Sequence, residues 1–231
     1  MKQTEALAVT EWGSGLNVNV VLYTILDMLE LRDGYTGSHV QNVENYISLL
    51  TDEMRKNGKW DLSVKDAYRI SQAALLHDTG KIAVPDAILL KPGRLTPEEF
   101  HIIKAHTTLG AEALKKSMAL FEESELFRTA CNITRYHHER WDGSGYPDGL
   151  SGGEIPLEAR IAAIADVYDA LRSERPYKPP MDRQKTRDII LEGKGTSFDP
   201  DLIEIFLIVE EKFNDYDRVL MKPVHLPLQD I

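Results

Sequence analysis

The chain has 231 residues, 42% hydrophobic and 28% charged, a composition that suits one large domain with a sizeable core and short extensions. Its formal net charge of −10 excludes broad nucleic-acid binding, which needs a basic surface, but not a small phosphate ester, because dications and a few local cations reverse the field inside a pocket. The single cysteine, Cys131, excludes an internal disulfide, disfavours a thiolate metal site and suits a reducing, cytoplasmic setting.

Residues 1–15 show no clear period and read as a loose leader. Over 16–31, Val18, Val21, Leu22, Ile25 and Leu29 recur at three- and four-residue steps, which predicts a helix broken by Asp33-Gly34. Asn19, Asp27 and Glu30 interrupt that run, so it cannot span a bilayer, and no membrane partner is expected. A second helix is predicted over about 37–54, with Val40, Val43, Ile47 and Leu50 inward and His39 in its first turn. A third starts after the N-cap Ser63, carries Ala67, Ile70, Ala74 and Leu75 toward His77-Asp78, and stops at Gly80.

Residues 82–95 form a connector. Thr96 then caps the sharpest helix start in the chain, with Pro97 at the first helical position and Glu99 closing a capping box. That helix carries Phe100, Ile103, His106 and Leu109 or Gly110 to about Lys116. A helix over 123–138 delivers His137-His138 to a loop containing Gly143, Gly145, Gly149, Gly152 and Gly153. Pro156 opens a helix through Ile161, Ile164, Ala165 and Tyr168 to Leu171. Asp182 caps the next, to Leu191, and Asp199-Pro200 starts the last, with Leu202, Ile205, Phe206 and Val209 on one face. No alternating strand pattern of useful length and no repeat occur, so the prediction is one all-α domain over 33–214, preceded by a leader and helix over 1–32 and followed by a tail over 215–231.

Five of the seven histidines, His39, His77, His106, His137 and His138, fall at predicted helix ends or on buried faces, and Asp78 and Asp166 join them. Any one such histidine is usually a satisfied core residue. Together, imidazoles and carboxylates without thiolates suit a first-row dication such as Fe, Mn, Zn or Ni. Neighbours on a helix point about 100° apart, so His77/Asp78 and His137/His138 cannot chelate one ion from one face. They can straddle two ions about 3.5–4 Å apart, with Asp78 bridging, an arrangement that activates a bridging hydroxide and clamps a phosphoryl group.

HDTGK at 77–81, HHERWDGSGYP at 137–147, IADVYDA at 164–170, RPYK at 175–178 and GTSFDP at 195–200 resemble the HD-GYP family, a branch of the HD-domain phosphohydrolases. The similarity runs from about Asp33 to Phe206. It implies an all-helical fold and a metal-dependent phosphodiesterase that opens cyclic di-GMP to the linear dinucleotide, with a second cut to GMP in some members. By the same resemblance His39, His77, Asp78 and Asp166 bind one metal, while Asp78, His106, His137 and His138 bind the second. Lys81 contacts the scissile phosphate, Asp78 assists proton handling, and Tyr146, Arg175 and Lys178 contact substrate. Some family members carry a glutamate four residues before the first histidine, supporting a third metal associated with complete hydrolysis. Tyr35 stands there in this chain, so two ions are expected.

Two other functions are compatible with these residues. One is a catalytically weak sensor that binds a cyclic dinucleotide or a regulatory protein through the GYP loop; the other is a phosphodiesterase for a different cyclic dinucleotide, such as cyclic GMP-AMP. Passive connectors are usually shorter than this loop, which reads as a lid or docking surface. Residues 1–36 are short for a sensor module, so regulation is expected from a partner, oligomerisation or another part of a longer protein; the oligomeric state is left open.

Among the remaining polar residues, His101 and His225 read as surface groups, Asp142 and Asp148 as turn formers and Asp169 as a hydrogen-bonding neighbour of the ligands. Glu139 reads as an orienting partner for a ligand histidine or a surface charge, and Trp141 as a loop wall or a stacking platform for guanine.

Overall fold

The computed structural model describes residues 18–33, 39–120, 124–173 and 179–220. Within them lie nine α-helices: α1 (Val18–Arg32), α2 (His39–Asn57), α3 (Val64–Ala74), α4 (Asp86–Leu89), α5 (Pro97–Leu120), α6 (Glu125–Tyr136), α7 (Leu157–Arg172), α8 (Arg183–Glu192) and α9 (Pro200–Leu220). Two 3-10 turns, Thr79–Ala83 and Gly152–Glu154, complete the order. The described residues contain no strand, only an isolated bridge between Lys194 and Phe198, so the all-α expectation holds.

Local chemistry sets the helix starts. The Ser63 hydroxyl accepts from the Asp66 N–H at 3.1 Å, while the Asp66 carboxylate accepts from the Ser63 N–H at 3.0 Å, a reciprocal cap for α3. Thr96 and Glu99 form the same pair at 3.2 and 2.7 Å ahead of α5. Asp182 accepts from the Lys185 N–H at 3.0 Å and opens α8.

Around α2 the core closes. Val43, Tyr46, Ile47, Leu50 and Met54 are buried there against α3, α7 and α9. Tyr46 stacks on Phe213 with centroids 4.3 Å apart and meets Tyr168 edge-on at 5.2 Å, so one aromatic cluster ties α2, α7 and α9 together. This leaves the N-terminus of α2 and the middle of α7 fixed against each other, and both carry chemistry-bearing side chains.

Four local details sharpen or depart from the sequence reading. Leu26, at 3% exposure, is the buried anchor of α1, whereas Ile25 is 51% exposed; the short apolar run fitted more than one helix phase. α3 ends at Ala74 rather than Gly80, because residues 75–79 close three-residue turns instead of continuing the helix. The connector holds a single helical turn, α4. On α5, Phe100 and Leu109 are largely exposed, and Gly110 is the residue that faces inward.

That last glycine explains a close crossing. A Cβ on Gly80 would lie 1.9 Å from the His106 carbonyl oxygen and 2.7 Å from the Gly110 amide nitrogen, and one on Gly110 would lie 2.7 Å from Thr134 Cγ2. Only paired glycines let the 3-10 turn touch α5 at this depth. Asp78 is thereby brought against His106.

Candidate metal centre

His39 opens α2, and Glu30 of α1 accepts from the neighbouring Val40 N–H at 2.5 Å. His77 and Asp78 sit in the turns after α3, His106 in mid-α5, His137 at the C-cap of α6 with His138 next, and Asp166 in mid-α7. Five segments therefore contribute to one cleft.

Two clusters form there. His39, His77 and Asp166 offer ligand atoms within 4.8 Å of one another, and so do His106, His137 and His138. Asp78 lies between them: its Oδ2 is 3.3 Å from His77 Nε2 and 3.9 Å from His39 Nε2, while Oδ1 is 3.4 Å from His106 Nε2 and 3.8 Å from His137 Nε2. Asp166 Oδ1 stands 3.6 Å from His39 Nε2 and 3.9 Å from His77 Nε2. All seven sequence-predicted ligand candidates are brought together.

The donor set fits divalent ions. Asp78 Oδ1, His106 Nε2 and His137 Nε2 are buried and make no hydrogen bond, an arrangement that costs free energy unless something else occupies the centre. The opposite nitrogens are already committed. The Nδ1–H groups of His77, His106 and His137 donate to the carbonyls of Ala74 at 2.8 Å, Ile103 at 2.7 Å and Ile133 at 3.0 Å. His39 Nδ1 donates to Asp169 Oδ2 at 2.7 Å. Each ring thus turns its Nε2 toward the centre.

Ionisation agrees with this. Burial keeps His106 and His137 neutral, with neighbouring histidines adding to the effect, and lowers His138 to about 4. Burial opposes ionisation of Asp78 and Asp166, but Lys81 and His77 outweigh it at Asp78, and His77 and His39 outweigh it at Asp166; both carboxyls are held below their usual range. Burial likewise opposes charge on His77, yet Asp78 and Asp166 raise it to about 9. The negative field that holds a proton on His77 is one a dication would satisfy better.

Lys81 reaches this centre from the 3-10 turn. Its Nζ is 2.7 Å from Asp78 Oδ2 and 2.6 Å from Asp33 Oδ2. Arg32, also at the end of α1, donates to the carbonyl of Lys81 at 2.8 Å and to that of Val84 at 2.6 Å. Tyr146 packs its ring 4.9 Å from the His138 ring, and burial raises its phenol, so the hydroxyl stays protonated. Arg175, Lys178 and Tyr35 lie outside the described residues.

The glycine-rich loop is tied down. Glu139 is buried, and its Oε1 accepts from the backbone of Asp148 at 2.7 Å and Gly149 at 3.0 Å. It therefore orients the loop, not a ligand histidine, and is no surface charge. Arg135 grips Asp148 through two hydrogen bonds of 2.9 and 2.8 Å, while Asp142 accepts from the Ser144 N–H as a turn former. The Trp141 and Asp142 N–H groups donate to Ser197 and Thr196, which docks the GTSFDP turn behind the loop. Trp141 walls the loop, with the Arg160 guanidinium 5.8 Å from its ring. His101 is exposed, as expected, and His225 lies outside the described residues.

Sequence reasoning missed several supporting residues. Asn42 donates to Asp169 Oδ1 at 2.8 Å, and Ser173 donates to Oδ2 at 2.8 Å. Asn42 lies one turn after His39, a spacing that could have flagged it. Asp33, a helix breaker by sequence, also anchors Lys81.

The sequence profile of the HD domain family matches residues 24–202. The chain belongs to the HD domain family. Its HDTGK and GYP strings place this HD domain in the HD-GYP branch. It is 44% identical over 202 residues to a probable cyclic di-GMP phosphodiesterase of Vibrio cholerae, a match covering 85% of this chain and 45% of that one. It is 40% identical to a 3′3′-cGAMP-specific phosphodiesterase of the same organism, over 81% of this chain and 34% of that one. The chain thus spans under half the length of these curated relatives. The crystal structure of a cyclic GMP-AMP-specific phosphodiesterase of V. cholerae shares the fold, with a TM-score of 0.57 at 18% identity, covering 87% of this chain and 53% of that one. HD-domain phosphohydrolases are metal-dependent. No helix among the described residues is long and apolar enough to cross a membrane.

Proposed function

We propose that this HD domain hydrolyses one 3′–5′ phosphodiester of a cyclic dinucleotide, cyclic di-GMP first, using two divalent ions. The observation that carries this reading is Asp78, whose two oxygens face two separate clusters of three ligand candidates. His39, His77 and Asp166 with Asp78 would hold one ion, and His106, His137 and His138 with Asp78 the other. Imidazole and carboxylate donors without thiolates suit a first-row dication; the resemblance to the HD-GYP family points to Fe or Mn, with Ni or Zn next. Such a pair, when bound, polarises the phosphoryl oxygens and activates water.

The chain's own residues supply the remaining chemistry. The Lys81 ammonium, held at the rim by Asp33 and Asp78, balances charge that develops on the phosphoryl group. Asp78 has little freedom to act as a base, because both oxygens face ligand candidates. Tyr146 provides a protonated, ring-faced wall beside His138. Arg175 and Lys178 are assigned to substrate by resemblance, as a cationic clamp. With Tyr35 where a third-metal glutamate would stand, two ions are sufficient, and the linear dinucleotide is the main product. The reducing cytoplasm suits this chemistry, and a regulatory protein docking on the GYP loop is a compatible partner.

A sensor without turnover is disfavoured, since no expected ligand is missing and Lys81 is in reach. Incubating Fe- or Mn-loaded protein with cyclic di-GMP, cyclic di-AMP and cyclic GMP-AMP, and resolving the products, tests the proposal. Linear guanine dinucleotide is the expected product. Binding without turnover in every metal state would leave only the sensor.

A further inference from the structure

Two residues beside the centre, Phe100 and Lys104, have no part in the chemistry above. They lie one turn apart on α5, on the face turned toward Tyr146. The Phe100 ring is 6.2 Å from the Tyr146 ring at 80°, and Phe100 keeps 45% exposure. Lys104 Nζ lies 4.7 Å from the Phe100 centroid and 5.2 Å from that of Tyr146. No carboxylate among the described residues forms an ion pair with it. Tyr146 in turn packs on His138, and His138 on His106 at 5.2 Å. A row of rings therefore leads from the ligand cluster out to solvent, with one ammonium group at its outer end.

Packing alone explains this row poorly. An exposed phenylalanine contributes little to the core, and a lysine side chain loses rotamer freedom when it is held between rings. A ligand base laid on the row would use both. Bases stack on aromatic side chains with little regard to sequence. Lysine carries only donors. Guanine presents two acceptors, N7 and O6, along one edge, whereas adenine sets an N6 amino donor beside N7.

We propose that Phe100, Lys104 and Tyr146 form the subsite for a purine base of the substrate, with Lys104 selecting guanine over adenine. This rests on the cyclic-dinucleotide reading of the metal centre. A phosphodiester at the clusters places the attached nucleoside one ribose away, at the ring row, and Lys104 meets the base edge there.

The test compares wild type, Lys104→Met, Lys104→Arg and Phe100→Ala, all metal-loaded, on cyclic di-GMP and cyclic di-AMP. Lys104→Met should reduce the guanine-over-adenine ratio of kcat/KM roughly 10- to 100-fold with metal content unchanged, and Lys104→Arg, which can pair with N7 and O6, should restore it. Phe100→Ala should raise KM for both substrates by about 10-fold, as loss of a stacking platform does. A ratio unchanged in Lys104→Met, or a wild-type preference for adenine, overturns the subsite alone. Absence of wild-type turnover on every cyclic dinucleotide overturns the phosphodiesterase reading and the subsite with it.

Discussion

His39 donates from Nδ1 to Asp169 Oδ2 at 2.7 Å, joining the first turn of α2 to α7 inside the core. Asp169 is 0% exposed and also accepts from Asn42 and Ser173, so its two oxygens serve three donors. The bond fixes which nitrogen of His39 faces the centre. Asp169→Asn keeps the volume but puts an amino group among donors. It should weaken metal affinity roughly 10- to 100-fold, the usual cost of losing an orienting partner. A Mn titration of the apoprotein checks this, and unchanged affinity would remove Asp169 from the account.

Lys81 is shared between Asp33 and Asp78, at 2.6 and 2.7 Å. Lys81→Ala should retain both metals and lower kcat by about 10²–10³, the range seen when one preorganised charge-stabilising group is removed. Asp33→Asn should lower kcat by less, since the ammonium remains but loses its outer anchor. Steady-state kinetics with metal analysis separate the two variants, and a Lys81→Ala protein stripped of metal would assign the lysine a structural role.

Gly80 has no room for a side chain, because the His106 carbonyl would lie 1.9 Å from the new Cβ. Gly80→Ala must push the 3-10 turn from α5. Overpacking of this kind costs about 1–3 kcal/mol or more, and it also carries Asp78 away from His106. Calorimetry should show a lower Tm, together with weaker metal retention. A normal Tm in this variant would mean the crossing is looser than it looks.

Glu139 holds the Tyr146 loop by two backbone N–H groups. Glu139→Ala removes both loop hydrogen bonds, each worth about 0.5–1.5 kcal/mol net. Hydrogen exchange at residues 142–149 should accelerate, KM should rise, and the metals should stay. Unchanged protection would show that Arg135 and the turn over 193–199 suffice to hold the loop.

The ligand candidates were legible because their residue types and strings carry the chemistry, and the caps at Ser63, Thr96 and Asp182 were legible because capping is local. What escaped depends on long-range approach. Asp169 was recognisable as a neighbour of the ligands, but its partners Asn42 and Ser173 emerge only when α2 packs on α7. Phe100 shares its spacing with Ile103 and His106, yet α5 turns it toward Tyr146. Ile25 and Leu26 are adjacent and equally apolar, so burial chose between them. Glu139 could be read beside a histidine pair but not as the hold on a loop closing back over it.

Metal counting on anaerobically purified wild type and Asp78→Ala tests the central claim most directly, because a carboxylate shared by two clusters serves both. Two ions per chain in the wild type, and loss of occupancy at both sites with no turnover in Asp78→Ala, is the predicted result. A variant that keeps both ions or remains fully active, or a wild type that reproducibly binds three, would contradict it.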